Sequence, residues 1–432
     1  MNSQNSEDYK KLLKKISKVK MSSQRGKDNL KSNIELGREL DLYIVNEVIG
    51  HGLPLLTPRG TVIRREIERF ITDEEISRGY LYTTTPVIAK ADLFKISGHW
   101  EHFKEDMITF KIKNEDFALR PVTCPFHFVL YKRKPRSYKD LPLRYAEISN
   151  LFRNEQSGEL RGLTRVRQFS LADAHIICTE EQLEDEFKNA LELIKFSMKK
   201  LGIKDVWYRF STWDSKNKGK YIDNDKAWES SQATMRSILN KLKIKFIEGV
   251  GEAAIYGPKL DFQYKDIYGK EDTLFTIQLD FSMPERFNLE YKDKHNEMKR
   301  AMVIHRSSVG ALERVISVLL EQNQGRLKTW LSPEQVRIIS FTEDSIKFCE
   351  KMIKILKEKI PGLRIGFDFK NSKIQGKIRD AEEMKIPYII LIGNKEEKTN
   401  TIPVRVKGDK KIQNFKFDEF VKKLDEEIRE RK

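Results

Sequence analysis

Between Arg165 and His175 almost every second residue could do chemistry: Arg165, Arg167, Phe169, Leu171, Asp173 and His175. Side chains alternate between the faces of a strand. A strand here turns those six one way, and Val166, Gln168, Ser170, Ala172, Ala174 and Ile176 the other. Two guanidiniums, a ring, a carboxylate and an imidazole are costly to bury together without ligands. The set suits a phosphate, a flat ring and a cation, although a solvated hairpin with its polar side outward has the same alternation. The residues from Arg144 read as the partner strand. Asn154 to Thr164, polar and carrying two glycines, reads as the loop between the strands.

Two other places invite chemistry. Cys124, in RPVTCPFH, has His127 three residues on. One thiolate and one imidazole do not make a zinc site, and no second pair stands at zinc-finger spacing. A catalytic site needs three ligands and an open position, often from distant strands. By residue type alone, a buried structural cysteine with satisfied histidines is the better reading. Farther on, Ser308 to Ile316 reads as an apolar helix with one charge pair inside it, Glu313 and Arg314. Neighbours i and i+1 do not face each other on a helix, so a cation there asks for an anion. Gly310 and Ala311 leave room for a ligand to approach.

The elements that position these residues fall into an α+β arrangement. The 432 residues suffice for two or three domains with real cores. Residues 1–34 form a basic, lysine- and serine-rich arm. From residue 35 to 331, antiparallel-looking strands alternate with helices: a helix near Leu36, a strand and turn over Leu53 to Gly60, a helix over Thr61 to Ile76, and a β-rich stretch closing at Pro86. A helix follows at 180 to 201, with Leu183, Phe187, Ala190, Leu191 and Ile194 on one stripe. A break falls near Trp330-Leu-Ser-Pro333. Residues 332–432 then alternate strand and helix as a smaller α/β domain.

Charge and cysteine usage narrow the class. The chain has 81 Lys+Arg against 65 Asp+Glu, a net charge of +16. That excess favours polyanionic partners, and a lysine-rich solvated surface also accounts for much of it. Three cysteines, Cys124, Cys178 and Cys349, are too few for a disulfide framework, so a reducing, cytoplasmic setting is expected. No apolar run is long enough to span a membrane. The N-terminal text lacks an apolar core and contains Glu7 and Asp8, which argues against a transit peptide.

Arg144 to His175 resembles motif 2 of the class II aminoacyl-tRNA synthetases: an arginine ending one strand, a variable loop, and a second strand rich in Arg and Phe. The wording FRNEQSGEL-RGLTRVRQF and DAHIICTEEQ is similar to the threonyl-tRNA synthetase family in that class, and the resemblance covers roughly residues 35 to 430. The long helix leading to a proline-ended strand resembles motif 1, which in that family forms the dimer interface. Ser308 to Ile316 resembles motif 3. The resemblance implies a catalytic core on an antiparallel sheet flanked by helices, followed by an anticodon-binding domain. It implies ATP-dependent activation of L-threonine, with Mg2+ accompanying the ATP, and transfer to tRNA(Thr) by a homodimer.

The same resemblance carries residue roles. Cys124, His175 and His305 match three zinc ligands, with His127 a neighbour and not a ligand. Arg153 matches the arginine bridging substrate carboxylate and α-phosphate, and Glu155 the reader of the adenine amino group. Arg165 and Arg314 match γ-phosphate contacts, Phe169 the ring on adenine, and Thr276 a nucleotide contact. Asp173, Tyr256, Lys259 and Gln278 match the amino-acid pocket, and His99 a base for transfer to the ribose. Asn371, Lys385, Glu396 and Arg405 match anticodon readers, with Lys385 replacing an arginine. Leu171 and Thr273 stand where the family has glutamines, and Val122 where it has a methionine. These departures bear on fine contacts to the substrate carboxylate and ATP, and less on the reaction.

Full-length bacterial members place an editing domain ahead of this region, so the expectation is an enzyme without cis editing and a separate editing chain in trans. A regulatory synthetase-like protein, or another class II synthetase, is the competing reading. Such paralogues lose the motif 2 or motif 3 arginines, and Arg153 and Arg314 are both present.

Overall fold

The computed structural model describes residues 30–432 except 394, 395, 397, 398, 400 and 410. Of the expected basic arm, residues 1–29 lie outside the described residues. Thr57 caps the helix α1 (Pro58–Ser77), its hydroxyl accepting from the Gly60 amide, and Pro58 opens the first turn, where its missing N–H costs nothing. Ile63, Ile67, Phe70 and Ile71 make its buried stripe, which packs towards the turn Thr329–Leu331.

The sheet beneath is built from β1 (Leu81–Tyr82), β2 (Leu143–Phe152), β3 (Gln168–Cys178), β4 (Trp207–Thr212), β5 (Phe246–Val250), β6 (Lys259–Lys265), β7 (Glu271–Asp280) and β8 (Met302–Ala311). Their order across the sheet is β5-β4-β6-β7-β8-β3-β2-β1. The six central strands pair antiparallel, as the sequence suggests, while each edge strand pairs in parallel, β5 with β4 and β1 with β2. The sheet is therefore mixed. One face is apolar: Ala172, Ala174 and Ile176 are fully buried beneath helices α2 (Leu183–Leu201) and α3 (Leu312–Asn323). The residues between them, Asp173 and His175, face the other way. A buried ion pair, Glu75 to Arg306 at 2.5 Å, ties α1 to β8.

Two expectations need correction. The second strand of the first hairpin begins at Gln168, not Arg165. Arg161 and Arg165 instead bridge each other within the loop, and Arg167 turns away, its guanidinium on the Glu155 and His51 carbonyls. Likewise the helix expected from Ser308 starts at Leu312, because β8 runs on through Ala311. Gly310 makes this possible. Its φ is +66°, and a Cβ there would lie 2.3 Å from the Leu274 carbonyl oxygen. The room this glycine leaves is filled by strand β7, not by a ligand.

Beyond Leu331 a five-stranded sheet has its own core of Val336, Ile338, Leu356, Ile390, Phe420 and Leu424. Strand Val336–Ser340 pairs in parallel with Ile365–Asp368 and Tyr388–Ile392, and two antiparallel strands, Thr401–Val406 and Ile412–Lys416, complete the edge. The last strand alternates exposed and half-buried residues, but its apolar residues, Ile412 and Phe415, do not alternate in the sequence. Arg364 reaches back to Glu66 at 3.1 Å. Among the described residues no helix is long and apolar enough to cross a membrane.

Candidate active site

Strand register assembles the site. Lys259 lies opposite Gln278, Gln278 opposite His305, and His305 opposite His175, one row across β6, β7, β8 and β3. Cross-strand partners sit about 4.5–5.5 Å apart at Cβ, so two histidines distant in sequence are brought ring to ring, their centroids 4.6 Å apart. Cys124 comes down on them from the first turn of a short helix, Cys124–Tyr131. The donor atoms of Cys124, His175 and His305 all lie within 4.8 Å of one another, and all three residues are buried.

The donor set fits a zinc ion of the catalytic kind: one sulfur, two imidazoles, and a side open to a cavity. Burial, and then the carboxylates of Asp173 and Asp280, push the Cys124 thiol well above its usual range. Burial holds His175 well below its own, so the imidazole is neutral, the form that ligates. A bound cation would reverse the penalty on the thiolate. Each histidine has a fixed outer partner. His305 Nε2 donates to Asp280 at 2.7 Å, and His175 Nδ1 meets His127 Nδ1 at 2.8 Å.

The cavity has a volume of about 290 Å³ and runs from this cluster to the loop after β2. Every catalytic-domain residue to which the resemblance gives a metal, nucleotide or substrate role lines it except His99. Near the cluster, Tyr256 stacks on His305 with centroids 4.7 Å apart. Its hydroxyl donates to Gln278 at 2.6 Å, and Gln278 donates to Thr276 at 2.9 Å. Lys259 is held 2.7 Å from Asp261. Burial raises Asp173's carboxyl above its usual range, against the pull of the neighbouring histidines.

At the far end Arg153 lies over the Phe169 ring, 5.1 Å from its centroid, and its buried Nε has no hydrogen-bond partner among the described residues. Desolvation works against its charge, yet a guanidinium stays protonated, so the position favours an anion. Arg314 is anchored on the Thr164 and Thr273 carbonyls at 3.0 and 2.7 Å. Glu155 and Arg165, given separate roles in the sequence, hold each other at 2.6 Å. Val122, Leu171 and Thr273, the three departures, all stand in the wall.

His99 stands behind the wall. It is buried, bonded to Ser97 at 2.8 Å, with its ring 6.3 Å from Tyr256. Burial, with His305 and Arg153 nearby, lowers its pKa to about 3. In the C-terminal domain, Lys385 and Arg405 share a second cavity of about 380 Å³ with Arg326, Arg379 and Lys407. Exposed Asn371 and Glu396, which accepts from the Gly393 amide, lie outside it. The sequence reading missed Asp261 and Asp280. Each stands two residues beyond a residue it did pick, Lys259 and Gln278, on the same strand face; following the alternation one step further finds both.

The matched families agree with this architecture. Residues 108–323 match the tRNA synthetase class II core domain (G, H, P, S and T), and residues 335–427 the anticodon binding domain. The chain thus belongs to the class II aminoacyl-tRNA synthetases. A threonine--tRNA ligase of Clostridium botulinum (strain Eklund 17B / Type B) is 49% identical over 91% of this chain, and one of Oceanobacillus iheyensis is 41% identical over 92%. A crystal structure described as the RNA binding domain of threonyl-tRNA synthetase from Cryptosporidium parvum superposes with TM-score 0.85 at 31% identity, covering 91% of this chain and 98% of that one. Within the class, the chain belongs to the threonyl-tRNA synthetase family. It spans 62% of the length of the two bacterial relatives.

Proposed function

We propose that the protein activates L-threonine with ATP and transfers it to tRNA(Thr), using zinc at Cys124, His175 and His305. The observation that supports this most is one cavity joining a sulfur–imidazole cluster to buried, anion-seeking arginines. Activation is attack of the amino-acid carboxylate on the α-phosphate, with pyrophosphate leaving. Charge builds on phosphate oxygens, so fixed cations supply most of the stabilisation. Arg153 sits where substrate carboxylate and α-phosphate meet, and Arg314 takes the γ-phosphate. Because Glu155 and Arg165 touch, an adenine read by the first and a γ-phosphate held by the second must lie close together. The reading therefore requires a bent nucleotide, with Phe169 under the adenine.

At the other end the problem is valine, nearly isosteric with threonine, which an apolar pocket rejects only about 10²-fold. A zinc ion held by the cluster supplies a position for both the amino and hydroxyl groups, and valine lacks the second. Asp173 accepts from the hydroxyl or amino group, and Tyr256 and Gln278 orient the amino end. In the C-terminal domain we assign Lys385 and Arg405, with Asn371 and Glu396 nearby in sequence, to the anticodon, where single-stranded bases are read by side-chain hydrogen bonds. Exposed Ile44, Val48, Ile49 and Leu55 support a homodimer through that face, which light scattering would test.

The deciding experiment is amino-acid-dependent exchange of pyrophosphate into ATP over a panel of threonine, serine, valine and proline, on protein with measured zinc content. Threonine-stimulated exchange at one zinc per chain is expected. Stoichiometric zinc without exchange would favour the regulatory reading.

A further inference from the structure

His127 stands one helical turn from Cys124, so a single short helix delivers both a metal donor and this second imidazole. The ring is fully buried, and its Nδ1 meets His175 Nδ1 at 2.8 Å. In a contact between two imidazole nitrogens one must donate and the other accept. The outer end of the ring decides which. His127 Nε2 lies 2.9 Å from the Thr83 hydroxyl and 3.7 Å from a Glu147 carboxylate oxygen. Thr83 has an acceptor of its own for its proton, the Ala146 carbonyl at 3.3 Å. Glu147 is buried, held by Arg120 and by the Thr85 hydroxyl, each at 2.8 Å. An N–H aimed at those oxygens is attracted and a lone pair is repelled. His127 therefore carries its proton on Nε2 and accepts through Nδ1. His175 must then donate from Nδ1 across the 2.8 Å contact, and its Nε2, which lies 4.0 Å from an Asp173 carboxylate oxygen and so outside hydrogen-bond distance, keeps a free lone pair.

We infer that His127 is a positioning residue for the metal: relaying the Glu147 carboxylate, it fixes the tautomer of His175 that presents a lone pair to the ion. The inference rests on the zinc reading of Cys124, His175 and His305. The two histidine ligands are thus steadied by different means. His305 has a carboxylate directly on its ring, whereas His175 has the His127 ring between it and the Glu147 carboxylate. Asp173, which lines the cavity, brings a further carboxylate oxygen to 4.0 Å from His175 Nε2.

The test is zinc affinity of the full chain, by competition with a chromophoric chelator, and the visible spectrum of the cobalt-substituted protein. His127→Leu removes the acceptor and is expected to weaken zinc roughly 10–100-fold, the range for loss of an outer hydrogen-bond partner, and to alter the cobalt bands. His127→Gln keeps an acceptor and should recover most of the affinity. Zinc affinity in His127→Leu within about twofold of the wild type, against that range, would overturn the proposal. Nitrogen NMR of zinc-free, 15N-histidine-labelled wild type reads the tautomers without any substitution. His175 protonated on Nδ1 with His127 protonated on Nε2 is expected, and the reverse pair overturns the proposal even if His127→Leu does not fold. A wild-type chain that binds no zinc refutes the zinc reading itself; normal wild-type zinc with an indifferent His127→Leu refutes only the role of His127.

Discussion

At one end of the cavity the side chains stand on adjacent strands, His175 opposite His305 and His305 opposite Gln278, each histidine locked by a buried partner. At the other end Glu155 and Arg165 stand on a loop and hold each other, with Arg165 41% exposed. Arg153, buried where β2 gives way to that loop, belongs with the first group by its burial and the second by its position. The difference is one of preorganisation. Sheet register fixes the cysteine–histidine end before any ligand arrives, whereas a nucleotide bound as proposed must exchange one loop ion pair for its own contacts. Changes at the fixed end should therefore cost far more than changes in the loop.

The largest effect is expected at Arg153. Arg153→Ala removes a cation whose Nε has no partner among the described residues and which the proposed reaction puts at the reacting phosphate. Removing one such fixed group costs roughly 10²–10³-fold in kcat. Threonine-dependent pyrophosphate exchange should fall by that factor, with the KM for threonine moving much less. A loss below about tenfold, small against that range, would remove Arg153 from the chemistry and break the comparison at its centre. Next comes Asp280→Asn. It takes the carboxylate from His305 while leaving the volume, so zinc affinity should fall roughly 10–100-fold and the KM for ATP should stay put. A shift in ATP binding without one in zinc would mean that the two ends are not separately built.

The same division governs what the sequence could reveal. Along β3 the alternation Phe169, Leu171, Asp173, His175 reads directly as one face, because a strand has period two and its other face is plainly apolar. The alternation failed at Arg165 and Arg167, where the backbone is still loop and parity means nothing. Register is the part that could not be read: nothing in the residues says that His305 pairs with His175, and only the family resemblance brought them together. The start of α3 is not legible because Ser308 to Ala311 is apolar enough for a buried strand or a buried helix, and Gly310, which lets β8 pass close to β7, reads equally well as room for a ligand. His127 was seen, but only as a neighbour, since its role depends on Glu147 and Thr83 from two other elements.

A third test sets a buried carboxyl at the fixed end of α3 against pH. Burial raises the pKa of Glu313 to about 7, against the pull of the Ser170 amide that it accepts from at 2.9 Å. An unfolded glutamate titrates near 4.3. Between those values the folded chain keeps a proton that the unfolded chain has released, so this group's contribution is full below the unfolded pKa and is lost as pH rises through about 7. Glu313→Gln keeps an acceptor for Ser170 and cannot ionise. Urea midpoints should favour the variant over the wild type more at pH 8 than at pH 5. Equal differences at both would show that Glu313 titrates normally.

The smallest effect is expected where the loop carries its own pair. Glu155→Gln leaves Arg165 with Glu159 at 3.2 Å as a remaining partner, and the Arg165 side chain is exposed enough for solvent to screen the interaction. Such pairs contribute about 0–1 kcal/mol, so the unfolding midpoint should hardly move. In the exchange reaction, glutamine still offers an oxygen to an adenine amino group and frees Arg165 from competition for phosphate. The two changes oppose each other in the KM for ATP, leaving a shift of a few-fold at most, since about 1 kcal/mol corresponds to about fivefold. If kcat instead fell by as much as in Arg153→Ala, the loop would have to be as preorganised as the sheet, and the contrast between the two ends of the cavity would have no physical basis.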